Sequence, residues 1–130
     1  MRILFASALL SAASTALFSW IYSPTLPLLA ACTLTNAVIS SVLHHSHLYP
    51  YSFWHWVDKV CVPVAVGVEL CNSTRREYTL VAVVVYVVSK QFDNEYLPGG
   101  IRLQQGLHAL AHVVATVGHI LWFKDLSSNK

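Results

Sequence analysis

The chain has 130 residues and a formal net charge of +2; 55% of its residues are hydrophobic and 11% charged, against roughly a quarter charged in an average soluble domain. No Asp, Glu, Lys or Arg occurs between Arg2 and Asp58, which leaves no charged helix faces for a water-soluble fold of this size and predicts an integral membrane protein. The positive charge is small and dispersed, with no basic cluster beyond Arg75 and Arg76, so nothing marks a nucleic-acid footprint.

A spanning helix needs about 20 mostly apolar residues. By that measure the sequence predicts a single all-α domain, a compact bundle of about five transmembrane helices near 3–22, 26–46, 54–71, 77–92 and 103–123. The first segment carries a basic residue, an apolar run and the small residues Ser14, Thr15 and Ala16, features shared with secretory signals, and the spanning reading is preferred over cleavage. Ser23, Pro24 and Pro27 mark the first turn.

The second helix ends in SSVLHHSH, and LYPYS (48–52) turns the chain into the third, which opens with WHWVDKV. Trp54, Trp56 and the nearby tyrosines are placed as an interfacial belt. NSTRRE (72–77) leads into TLVAVVVYVV, a short valine-rich run that would pass for a strand in a soluble protein. A bilayer leaves an open strand's backbone unpaired, so a helix is expected, with Lys90 reaching back to the surface. DNEYLPGG (93–100) forms the last turn, before a helix containing LHALAHVVATVGHILWF.

The basic residues balance across the membrane: Arg2, Lys59, Lys90 and Arg102 fall on one side, and Arg75, Arg76, Lys124 and Lys130 on the other. The positive-inside count therefore assigns no orientation. Cys32, Cys61 and Cys71 are odd in number and lack metal or CxxC spacing, which points to packing. Gly67, Gly106 and Gly118 are expected where helices approach closely. Glu69, eleven residues after Asp58, is expected on the same helix face but near the opposite leaflet, paired with Arg75 or Arg76.

Chemistry concentrates in the polar residues of three helices. His108 and His112 lie four apart and so on one helix face, as do Ser41 and His45, and in parallel Ser40 and His44. With one span between the Asp58 helix and the last, Ser41, His45, Asp58, His108 and His112 all fall near the same membrane face. His119 shares the face of His108 but lies about 16 Å further along the axis. His44, His47, His55 and His119 are read as helix-to-helix hydrogen-bonding residues, the usual role of histidine in membrane helices.

Three imidazoles with an open position suit catalytic zinc. Asp58 is then placed to deprotonate a water whose pKa the metal lowers to about 7, and Ser41 to orient it or stabilise an oxyanion. The constellation reads as metal-assisted hydrolysis.

SVLHHS, then WVDKV, then HALAHVVATVGH resembles the alkaline ceramidase, adiponectin receptor and GPI-remodelling superfamily called CREST. The pattern runs from residue 40 to 118. Matched residue by residue, Ser41 takes the place of the family's serine, Asp58 that of its aspartate, and His45, His108 and His112 those of its zinc ligands. The resemblance implies a membrane hydrolase of lipid amides or esters. The chain departs from the family in offering five spans rather than seven, which keeps the metal residues on one face but removes helices that would line a substrate chamber. The doubled Ser40-Ser41 and His44-His45 also admit a second register, of which Ser41 and His45 is preferred.

A di-iron desaturase needs more ligands than seven histidines without an HxxHH box supply. A haem carrier would use two histidines and leave Asp58 without a role. The main alternative is a non-catalytic receptor or assembly subunit whose polar cluster ties helices together. The expected partner is membrane lipid, and either a second copy of the chain or another membrane protein is available to cover the flanks left by the missing helices.

Overall fold

The computed structural model describes residues 2–92 and 99–128, so most of the expected turn at 93–100 lies outside the described residues. Those residues form five α-helices: α1 (Arg2–Tyr22), α2 (Leu28–His45), α3 (Tyr51–Asn72), α4 (Arg76–Lys90) and α5 (Gly100–Ser128). The valine-rich segment is helical, as the bilayer argument expects. α1 stops where Ser23 precedes Pro24, because the proline ring disfavours helical geometry in the residue before it. Proline also precedes α2 and α3, at Pro27 and Pro50. Gly99, at φ 74°, takes the left-handed conformation that admits glycine without strain and leads into α5.

α1, α2 and α5 are long and apolar enough to cross a membrane. The other two expected spans differ for separate reasons. α3 has the length, at 22 residues, but carries Asp58, Lys59 and Glu69 within it. α4 has only 15 residues, about 22 Å at 1.5 Å per residue, short of a hydrocarbon core of about 30 Å.

Each helix packs on its neighbours in chain order, and α5 returns to α1, which closes a five-membered ring whose loosest seam lies between α3 and α4. The ring is small and polar inside and large and apolar outside. Its buried residues include six alanines besides Ala8, together with Ser40, His45, Glu69, Thr79 and His119, whereas Trp20, Leu28, Val60 and Ile101 are exposed. Small interior residues let backbones approach, the packing mode of helices in lipid.

One end of the ring is closed by a plug in which Ala30, Leu34, Trp122 and Phe123 are buried, with Phe18, Tyr22, Val68 and Leu126 against them. α5 runs a turn past its expected end, and there Asp125 accepts hydrogen bonds from Arg75 Nε at 2.7 Å and Thr74 Oγ1 at 2.7 Å. These bonds hold the Asp125 carboxyl below the usual carboxylate range, to about 2. Arg75 is thereby engaged, and Arg76 donates back to the Ser73 carbonyl, so neither pairs with Glu69 as the sequence suggests.

Of the three glycines expected at close approaches, only Gly118 sits at one: a Cβ there would lie 2.6 Å from Tyr78 Cβ, while nothing lies within 4 Å of one at Gly67 or Gly106. The cysteines are free, and Cys32 and Cys71 are exposed rather than packed. Gly118→Leu should pry α4 from α5 and destabilise the protein by about 1–3 kcal/mol, the cost of overpacking, read as a lower melting temperature in detergent. Gly67→Leu meets no neighbour within 4 Å and should leave the melting temperature unchanged or raise it, by the equivalent of the roughly 0.5–1 kcal/mol that a helix interior gains on losing glycine.

Candidate metal centre

A partly open cavity of about 390 Å³ is lined by residues of all five helices, among them Ser41 of α2, Asp58 of α3, Tyr86 of α4 and His108 and His112 of α5. Five helices thus form a chamber without the additional pair that the family resemblance would supply.

At the end of the cavity away from the apolar plug, His45, His108 and His112 come together, with one nitrogen from each ring within 4.8 Å of the others. α2 contributes its last residue, and α5 contributes two from successive turns of one face. The rings of His108 and His112 lie 4.9 Å apart, and each is about as far from His45, at 5.1 and 5.3 Å. Tyr86 meets His108 edge-on at 5.0 Å.

The buried nitrogens test whether a cation fits. Both ring nitrogens of His45, and Nδ1 of His108, are buried without a hydrogen-bond partner among the described residues. A buried polar group left unpaired costs about 1–3 kcal/mol. A metal ion held between the rings would satisfy a nitrogen of each. The three histidines can hold a metal ion.

α1 supplies a contact that no spacing rule points to. Ser7 Oγ lies 2.8 Å from His112 Nδ1, which leaves Nε2 of that ring for a ligand. Ser7 sits in a helix whose one charged residue is Arg2, with no histidine near it in sequence, so only packing reveals the role. A hydrogen bond to the far nitrogen fixes the tautomer and orientation of a ligating imidazole. Ser7→Ala should therefore weaken metal affinity by about 10–100-fold, measured by competition with a chromogenic chelator.

The serines part company. Ser40 is buried and donates to the Ala37 carbonyl at 3.0 Å and to Asp58 Oδ1 at 3.4 Å. Ser41 lines the cavity wall. The expected partner of His45 by spacing is thus free to face a ligand, while its neighbour holds the carboxylate. His44 is half-buried; its ring stacks on Tyr51 at 5.2 Å and lies 4.9 Å from His55 and 4.7 Å from His45. His47 stacks on the same tyrosine at 4.8 Å, so these three histidines form an aromatic group beside the turn.

Deeper in the cavity, Glu69 Oε1 lies 2.6 Å from His119 Nε2, and Glu69 Oε2 accepts from Thr79 Oγ1 at 3.2 Å. This tie joins α3, α4 and α5, and gives His119 the helix-to-helix hydrogen bond expected of it. Comparison with protein-family models, curated proteins and solved structures found no match for this chain.

Proposed function

We propose that the protein is a multi-pass membrane hydrolase that cleaves amide or ester bonds of lipids with zinc held by His45, His108 and His112, as the resemblance to the CREST superfamily implies. The observation that carries the reading is the convergence of three imidazoles from two helices, two of which, His108 and His112, line a cavity together with Asp58 and Ser41. The apolar outer surface and the three long apolar helices support a membrane setting.

An all-nitrogen set with an open position favours zinc over magnesium or calcium, which prefer oxygen ligands. Zinc bound there supplies Lewis acidity and water of lowered pKa. Asp58, steadied by Ser40, takes a proton from a water in the cavity and returns it to the leaving nitrogen or oxygen. The Ser41 hydroxyl donates to the oxyanion that develops on the substrate carbonyl. The apolar remainder of the cavity houses the hydrocarbon of a substrate that never enters water.

Metal analysis of the purified chain, paired with turnover of a fluorescent ceramide and a fluorescent phospholipid, tests this reading. It expects about one zinc per chain and release of fatty acid from one substrate. Zinc without turnover would mark a structural site in a receptor or assembly subunit, and iron with a Soret band would mark a haem carrier; either result overturns the proposal.

A further inference from the structure

Of the residues that line the cavity, those that are also exposed on the outside of the ring are Lys59, Val62 and Pro63 of α3 and Tyr86 of α4. The lining residues contributed by α1, α2 and α5 are all buried or half-buried. The cavity therefore opens across the seam between α3 and α4, which is also the loosest in the ring. A mouth between two helices faces sideways, where lipid surrounds a spanning bundle, and its valine, proline and tyrosine make the rim mostly apolar.

Two ammonium groups stand at this rim. Lys59 lines the cavity itself, with its Nζ 5.4 Å from the centre of the Trp56 ring, and Lys90, one turn beyond Tyr86 on α4, has its Nζ 5.2 Å from the centre of that ring. Contact with an aromatic face holds a flexible lysine in place and leaves its N–H groups available to an acceptor. Both lysines are exposed, and neither takes part in an ion pair among the described residues. Asp58, the neighbour of Lys59 in sequence, accepts from Ser40 on α2 instead. Lys59 follows Trp54 and Trp56 in the first half of α3, and Lys90 is the last residue of α4. Both charges therefore belong to the end of the ring that holds the histidine centre, within reach of the head-group level.

We propose that the seam between α3 and α4 is the entrance to the chamber, and that Lys59 and Lys90 bind the phosphate of an anionic phospholipid there while its acyl chain passes Val62, Pro63 and Tyr86 into the interior. The apolar rim suits hydrocarbon, and two cations beside it suit a phosphodiester anion. A zwitterionic head group brings its own cation next to the phosphate and so gains less from the lysines, and an uncharged one offers them nothing. This rests on the membrane reading and deepens the hydrolase reading by naming a substrate class. It is read by binding of a lipid that cannot be cleaved, so it can fail while hydrolysis is observed and hold while hydrolysis is absent.

The test measures binding of diether phosphatidylglycerol and diether phosphatidylcholine of equal chain length to the purified full chain in uncharged detergent, by displacement of a phosphatidylglycerol with a fluorescent acyl chain. An ether lipid offers no ester to cleave. Phosphatidylglycerol should bind about 25-fold more tightly, at about fivefold for each lysine near the lipid surface, the equivalent of ~1 kcal/mol per charge. The preference should vanish in Lys59→Gln/Lys90→Gln and persist in Lys124→Gln, which removes an exposed cation at the opposite end of the ring. Exposed substitutions of this kind are close to neutral for stability, so these variants should fold. Val62→Trp narrows the rim and should weaken the binding of both lipids several-fold. Equal binding of the two lipids, a preference that survives the double variant or falls as far in Lys124→Gln, or unchanged binding in Val62→Trp overturns the proposal. Displacement by glycerol phosphate as effective as by the whole lipid would mark a site for free phosphate and overturns it as well.

Discussion

His112→Ala should lose the metal, fall below detectable hydrolysis and melt at a lower temperature. His112 supplies one of three nitrogens that meet within 4.8 Å, and two imidazoles from different helices do not hold zinc at micromolar concentration as three do. Metal-ion stabilisation of developing charge is worth several kcal/mol, so its loss lowers turnover on the order of 10³-fold or more at 1.36 kcal/mol per decade. Bound metal also stabilises the folded chain, by about 2.7 kcal/mol at a hundred times its dissociation constant. α2 and α5 are not direct neighbours in the ring and meet in the apolar plug of Ala30, Leu34, Trp122 and Phe123, so an ion joining His45 to His108 and His112 ties the same two helices at the other end. A chelator should lower the melting temperature of the unaltered protein and leave that of His112→Ala almost unchanged. An equal chelator response in both proteins would overturn the assignment of His112 as a ligand.

Asp58→Asn should keep its zinc and lose turnover by about 10²–10⁴-fold, the usual contribution of a positioned general base. The substitution preserves shape, and its amide oxygen still accepts from Ser40, whose hydroxyl lies 3.4 Å from the carboxylate. Asp58 is not among the three groups that gather around the metal position, so metal content should stay at about one per chain. Paired measurement of zinc and of fluorescent ceramide turnover separates the outcomes. Turnover at the unaltered rate would remove Asp58 from the mechanism, and loss of zinc together with turnover would make it a ligand instead of a base.

Helical periodicity made part of the site legible. His108 and His112 share a face because four residues make about one turn, and the count of helices between Asp58 and His108 places both at one end of the ring. The identity of the serine was harder to read, because SSVLHH repeats the same spacing in two registers. Packing separates them: Ser40 faces Asp58, Ser41 faces the cavity, His45 turns inward and His44 stacks on Tyr51. Glu69 shows the limit of reasoning from proximity along the chain. Arg75 and Arg76 lie six and seven residues away, yet the carboxylate turns to His119, fifty residues distant, because Asp125 already holds Arg75.

Local rules thus determined five helices, their ends at proline and glycine, and the one-sided placement of His45, Asp58, His108 and His112. They follow from spacing of about 3.6 residues per turn and from the avoidance of helical geometry before proline. Only the tertiary structure decided that α5 closes back on α1 around a chamber, that Ser7 orients His112, and that Glu69, Thr79 and His119 meet at its deep end. Those contacts depend on how rings and hydroxyls from separate helices rotate to satisfy one another in the buried interior, and that choice is made by the packed bundle as a whole.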